Sequence, residues 1–521
     1  MTIDGLNSGG NSLTMSNTST ANPSATIQLL PTGVLNAGAS NNTFQNLNIV
    51  GGANTIGTVG IAIAGSTVNT AGADNDGNTI SGNTITKAYY AIYVRGSFVP
   101  TSAGMDNLVI SNNTLGPASQ GADSLGLAGI YMYGANNPTV SGNTIRNLTA
   151  GAASAGGIYV FQDVAGGSIA NNTITNLTSA ISTGTTTQIT GIYFGPNVSS
   201  LTVSGNKIQS VSNTLAAGAG ARGIIANSDG AGIVIANNMI SDIVTFAAAS
   251  TNSWPVGISV EIASTTVKVY NNSVNLFGPH TGVNAGSASA AMFFGGSVQS
   301  VDVRGNVLSN SYDNTTVATD RTYAINAQNI AGTSFTLLDY NDLFVNGPVT
   351  ANNFVGNLAG TNQATLAAWR TATGKEVHPI AANPQFVSAT DLHINTSGAA
   401  TPVENVGTPI LVVTNDVDGD FRNPTTPDMG ADEVRCHAVI AAENCDDSNA
   451  CTVDSCNPTT GACGIGLADA GTLCRAATGA CDVAETCDGV ELVCPDDVLA
   501  PAASVCRPAA GAATWRRPVT V

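Results

Sequence analysis

Two sequence threads run in fixed phase through the first two-thirds of this chain, and together they limit what it can fold into. The first is a short strand ending in asparagine. It recurs at Asn83, Asn113, Asn143, Asn172, Asn206, Asn238, Asn272, Asn306 and Asn341, at gaps of 29 to 35 residues. The second is a Gly-Ile-Tyr-like strand at Ile61, Ile92, Ile130, Ile158, Ile192, Ile224, Ile258, Met292 and Ile325. From Ile158 to Met292, each of these falls 14 residues before the next aligned asparagine. Two threads locked in phase over many copies imply stacked, self-similar coils. Within a copy, apolar residues alternate, as Val301 and Val303 do around Asp302, so every second side chain points inward. Coils stacked about 4.8 Å apart turn such positions into aliphatic columns. Residues 1–345 are therefore predicted to form a right-handed parallel β-helix, an all-β single-stranded solenoid. Asparagine tolerates the left-handed turn conformation, and its amide can bond the amide of the next coil. The repeated asparagines are thus expected to be structural, and their matches to glycosylation sequons follow from the repeat.

Composition agrees with this. Charged residues are 10% and aromatics 5%, but Ile, Val and Thr are plentiful, which suits turn-rich β-structure rather than disorder. The net charge is −18 with no cluster of Lys or Arg, which excludes nucleic acid and anionic membranes as partners. No run of about 18 apolar residues occurs, so membrane insertion is not expected. A monomer is expected. The opening residues lack the basic and apolar regions of a secretion signal and read like the middle of a repeat. A signal and the first coils are therefore expected to precede them.

All ten cysteines lie in one stretch: Cys436, Cys445, Cys451, Cys456, Cys463, Cys474, Cys481, Cys487, Cys494 and Cys506. A cysteine-free body with a cysteine-dense tail points to a disulfide module, residues 435–507, in an extracellular or cell-surface setting. CxxC zinc spacing is absent, and ten cysteines allow five bridges of undetermined connectivity. Residues 506–512 repeat residues 474–480, but Ala513 stands where a match to Cys481 is expected. Residues 508–521 form an atypical tail.

Residues 346–434 break the repeat. Trp369, Pro384-Gln-Phe386, Asp391-Leu-His393, Asp418-Gly-Asp420-x-Arg422 and Gly430-Ala-Asp432-Glu433 resemble the C-terminal cap of bacterial right-handed parallel β-helix repeat proteins, in the pectin-lyase-like superfamily. The resemblance covers about residues 1–434 and implies the same fold closed by a cap. The stretch from Cys445 to Cys463 resembles cysteine-rich repeats appended to bacterial surface proteins. Cys474-Arg475, Cys481-Asp482, Glu485, Cys487, Gly489 and Cys494-Pro495-Asp496 are similar to the C-terminal half of a disintegrin-like domain. The integrin-binding loop of that domain corresponds to residues 476–485, which lack Arg-Gly-Asp, so integrin binding does not transfer.

The superfamily includes polysaccharide lyases and hydrolases, which need paired or clustered carboxylates. In the solenoid body Asp106, Asp123, Asp163, Asp229, Asp242 and Glu261 share no common coil position, and His280 has no evident partner. Lys268 and Asp302, and Tyr270 and Arg304, occupy equivalent positions on neighbouring coils and are expected to be ladder pairs. A surface is the stronger candidate. In the Gly-Ile-Tyr strands Ile points inward, so Tyr93, Tyr131, Tyr159 and Tyr193 should form an outward column, flanked by Arg95, Tyr133 and Phe161. Such rings suit stacking on sugars or on a partner's side chains. The column ends where Ile225 and Ser259 take the position. The Asn-to-Ile return varies from 15 to 20 residues, so the extra residues are expected as loops on one binding face. Asp416, Asp418 and Asp420 resemble part of a calcium loop, the one cofactor suggested; the alternative is that Arg422 locks the cap through Asp428 or Asp432. The reading is a non-catalytic secreted or cell-surface binding protein for polysaccharide or a surface partner. The alternative is a polysaccharide lyase or glycoside hydrolase.

Overall fold

The computed structural model describes residues 1–6, 13–31, 38–55, 57–72, 74–97, 104–151, 154–180, 188–214, 220–246, 254–278, 287–315, 318–397, 400–434, 445, 447–456, 463–479 and 481–501. Two compact units result: Met1–Ile394 with Pro402–Glu433, and Asn395–Thr401 with Val434–Val521.

The first unit is a right-handed parallel β-solenoid. Each coil contributes one strand to each of three sheets, as Thr139–Ser141, Thr144–Ala150 and Ala155–Ala165 do. Among the described residues, the first and second sheets each hold 11 strands, paired in parallel from one coil to the next. The core is a set of aliphatic columns. Ile110, Val140 and Ile169 stack in the first sheet, Ile145, Ile174 and Ile208 in the second, and Ile130, Ile158 and Ile192 in the third, all buried. Each contributes about 1.5–3 kcal/mol by leaving water. On the middle coils a glycine precedes the third-sheet Ile, where the approach of the second-sheet column is close. A Cβ on Gly191 would lie 2.5 Å from Ile208 Cγ2, and one on Gly223 2.4 Å from Ile240 Cγ2.

The asparagines form one continuous ladder at the corner between the first two sheets. The backbone N–H and Nδ2 of Asn83 both donate to Oδ1 of Asn113 at 2.9 Å, and the same pair of bonds recurs on every coil to Asn341. The left-handed residue is the one before, such as Asn112, Gly142, Asn171 or Gly205. This is why the corner reads Asn-Asn or Gly-Asn: one position supplies the turn, the other the ladder.

Glu376 ends the ladder, accepting from Asn341 Nδ2 at 2.8 Å through Oε1. It is fully buried, and burial pushes its carboxyl up to about 8. Asp342, next to Asn341 in sequence, is buried as well, and burial pushes it up to about 7. A raised carboxyl favours the protonated fold, so this contribution is full below the ordinary glutamate value. It is lost as pH rises toward 8, on the order of a few kcal/mol in all. Glu376→Gln keeps the acceptor and removes the ionisation. Its melting temperature should therefore fall less than the parent's between pH 5 and pH 8.5. Identical pH dependence in the two proteins would show that Glu376 ionises freely in the fold.

The end of the solenoid is closed by the helix Leu366–Thr373, capped by Thr365 Oγ1 and by left-handed Gly374. Its Trp369 is fully buried over Gly356, where a Cβ would sit 2.4 Å from the indole. The chain then runs back along the asparagine corner. Asn275 Nδ2 donates to Ala389 O at 2.9 Å, Ala431 N to Ser273 Oγ at 2.9 Å, and Gly430 N to Gly305 O at 2.7 Å. So residues 346–394 and 402–433 both close the end and cover the flank. Arg422 is buried in this segment. It pairs with Glu433 at 3.2 Å and also donates to Asn237 Oδ1 and Gly430 O, each at 2.8 Å.

In the second unit, Cys445–Cys463, Cys451–Cys487 and Cys474–Cys494 are bridged, and Cys481 is disulfide-bonded too. None of the described cysteines is free. Cys436, Cys506, the side chain of Cys456 and the atypical tail lie outside the described residues. Among the described residues no helix is long and apolar enough to cross a membrane.

Candidate functional site

The tyrosine column is in the expected register: Tyr93, Tyr131, Tyr159 and Tyr193 are direct partners on successive coils, followed by Ile225 and Ser259. Its rings stack with centroids 5.8, 5.1 and 4.3 Å apart and planes within 17° of parallel. The expected bare strip does not exist, however. Tyr93, Tyr131 and Tyr159 are only 5%, 9% and 8% exposed. Rings one coil apart hide each other's faces, and neighbours cover the sides. Tyr90 packs edge-on to Tyr131 at 5.1 Å, while Tyr133 and Phe161 form a second row 4.8 Å apart. Arg95 lies over Tyr133 and donates to Tyr93 Oη at 3.3 Å. Burial holds the phenols of Tyr131 and Tyr159 well above their ordinary range.

The column opens at its C-terminal end. Tyr193 is partly exposed, the next coil offers only Ile225, and both residues line a groove of about 320 Å³. Ser154, Tyr159, Gln188, Thr190, Asn227 and Glu261 complete its lining. Gly195 stands where the second row would continue, and a Cβ there would meet Tyr193 at 3.0 Å. Asn227 Nδ2 donates to Tyr193 Oη at 3.1 Å. Oε1 of Gln188 is buried without a partner. Glu261 is fixed from behind: Ser259 Oγ donates to it at 2.5 Å, and Arg222 reaches it at 3.1 Å and Ser259 Oγ at 2.7 Å. Arg222 is fully buried over the Phe293 ring, and burial lowers its pKa. Sequence reasoning counted Glu261 among scattered acids and passed over Arg222, Gln188 and Asn227. The visible signal was the end of the aromatic column at Ile225. Ser154 and Gln188 also directly follow sequence segments that vary in length between coils. The long parts of those inserts, residues 181–187, 247–253 and 279–286 with His280, lie outside the described residues.

The other candidates resolve into structure. Asp416 accepts from the backbone of Asp418, Asp420 and Glu433, while Asp418 turns to Lys207 at 3.1 Å and His393 Nε2 at 2.7 Å. Asp416 is thus engaged by the turn and Asp418 by the tether to Lys207 and His393. His393, Asp418 and Asp432 do bring ligand atoms within 4.8 Å of one another. The hydrogen bond to Asp418 holds His393 up to about 9, so without a bound ion it is a cation near neutral pH. Lys268 and Asp302, and Tyr270 and Arg304, are register partners on neighbouring coils, and Arg304 lies over the Tyr270 ring at 5.0 Å and donates to its Oη at 3.2 Å. Asp302 pairs instead with Arg304 of its own strand at 2.8 Å and accepts from Tyr270 Oη at 2.6 Å. Asp163 and Asp229 both bond Asn197, and Asp106 bonds Asn136. Glu261 is the one carboxylate among the described residues lining the groove.

Residues 32–274 match a family model described as right handed beta helix region. No curated protein matches the chain.

Proposed function

We propose that this chain is a non-catalytic, extracellular glycan-binding protein whose site is the groove beyond Tyr193. The observation that carries this reading is a partly exposed tyrosine ring at the end of a rigid stack, lining a groove with amide and carboxylate groups. Sugar rings pair an apolar face with a rim of hydroxyls, and this arrangement answers both. The disulfides of the second unit support an oxidising, extracellular setting. Hydrolysis by the usual two-carboxylate route needs a second acid near the scissile bond, and Glu261 has none beside it in the groove lining. One ring contact contributes about 1 kcal/mol and one charge-assisted hydrogen bond about 1.5–3 kcal/mol, so single-site affinity should be modest. The test is an oligosaccharide array read both for retention and for released or unsaturated products. Retention without product, reduced about tenfold in Tyr193→Ala, is expected. Product formation that disappears in Glu261→Gln would replace this reading with an enzyme.

A further inference from the structure

Resting on that glycan-binding reading, we infer that the groove selects neutral, hydroxyl-rich sugar chains and rejects uronate polymers. The ligand ring occupies the place the column vacates. Tyr159 and Tyr193 stack at 4.3 Å, coils repeat about every 4.8 Å, and over Ile225 the next position holds no ring. A sugar ring lying on the outer face of Tyr193 is the next member of the stack.

The surrounding groups then read its hydroxyls. Glu261 is the only charged residue among the described lining residues, and its side chain is 25% exposed. Arg222 neutralises it from the protein side, where its side chain is 0% exposed and cannot reach a ligand. What the groove presents is thus a carboxylate's acceptor lone pairs with the net charge already balanced. Those lone pairs take O–H donors in charge-assisted hydrogen bonds and give an ammonium group little extra reward. The unpartnered Oε1 of Gln188 is a second acceptor of the same kind. A ligand carboxylate, by contrast, finds no Lys or Arg among the described lining residues and meets the lone pairs of Glu261 at close range. The whole chain, at −18, repels polyanions further at low salt.

The test uses the full chain on immobilised neutral hexose oligomers and oligogalacturonates, with Ile225→Tyr and Asn227→Lys alongside the parent. The parent should retain neutral oligomers at least tenfold better than oligogalacturonates. Ile225→Tyr extends the column into the groove, so it should lose retention while melting no lower than the parent. Asn227→Lys supplies the missing cation and should gain oligogalacturonate binding. A parent that prefers oligogalacturonates overturns the selectivity but leaves glycan binding standing. Retention of neither class overturns glycan binding itself. Neutral retention unchanged in Ile225→Tyr places the ligand elsewhere and overturns the stacking assignment.

Discussion

Replacing Tyr131 and Tyr159 together by alanine lowers the stability of the solenoid by about 4–6 kcal/mol. A bare binding strip would tolerate the same change with little effect, so the experiment separates the two descriptions of the column. The rings lie 5.1 Å apart with planes 2° from parallel. Tyr131 also contacts Tyr93, Tyr90 and Phe161, and Tyr159 contacts Tyr193. Truncating a fully buried aromatic costs about 3–5 kcal/mol. Two touching rings share part of that cost, so the pair falls short of the sum. Urea unfolding of the double variant measures it. Because solenoids can lose coils locally, amide exchange around residues 128–165 should rise first. A loss below about 1 kcal/mol would mean that the rings are solvated and the packing described here is wrong.

The solenoid was legible in the sequence because its determinants are local and repeated. Asn143 and Asn172, or Ile158 and Ile192, sit in chemically equivalent surroundings, so the same residue solves the same problem on every coil. The end of the ladder was not legible, because Glu376 enters it from a segment with no repeat to align against. Only its burial and its bond from Asn341 reveal the continuity. The path of residues 384–394 and 402–433 along the flank was hidden for the same reason.

The site was half legible. Alternation fixed which way Tyr93, Tyr131, Tyr159 and Tyr193 point, and their register follows. Alternation says nothing about what covers an outward side chain, and here the rings cover one another. The accessible chemistry therefore moves to the discontinuity at Ile225, where Asn227, Glu261 and Gln188 arrive from different coils. Arg222 illustrates the limit: only the pairing of two coils places it behind Glu261 and Ser259.

Asn206→Leu should destabilise the middle coils by about 3–6 kcal/mol, although leucine fills a similar volume. Asn206 Oδ1 accepts from the backbone N–H and Nδ2 of Asn172, at 3.1 and 3.0 Å. Its Nδ2 donates to Asn238 Oδ1 and Ile169 O, both at 2.9 Å. Leucine leaves the Asn172 N–H, one Nδ2 proton of Asn172 and the Ile169 carbonyl without these partners. All lie beside a buried column that water does not reach, and each orphan costs about 1–3 kcal/mol. The neighbouring asparagine is the control. Asn171 is exposed, left-handed, and one coil before Gly205 at the same corner. Asn171→Gly keeps the turn conformation and should change stability by less than about 0.5 kcal/mol. Thermal and urea unfolding of both variants, with exchange of the Asn172 amide, checks the pair. If Asn206→Leu melts with the parent, the ladder merely lines the corner and the aliphatic columns alone set the register. If both variants are equally damaging, the turn rather than the amide stack holds the coils.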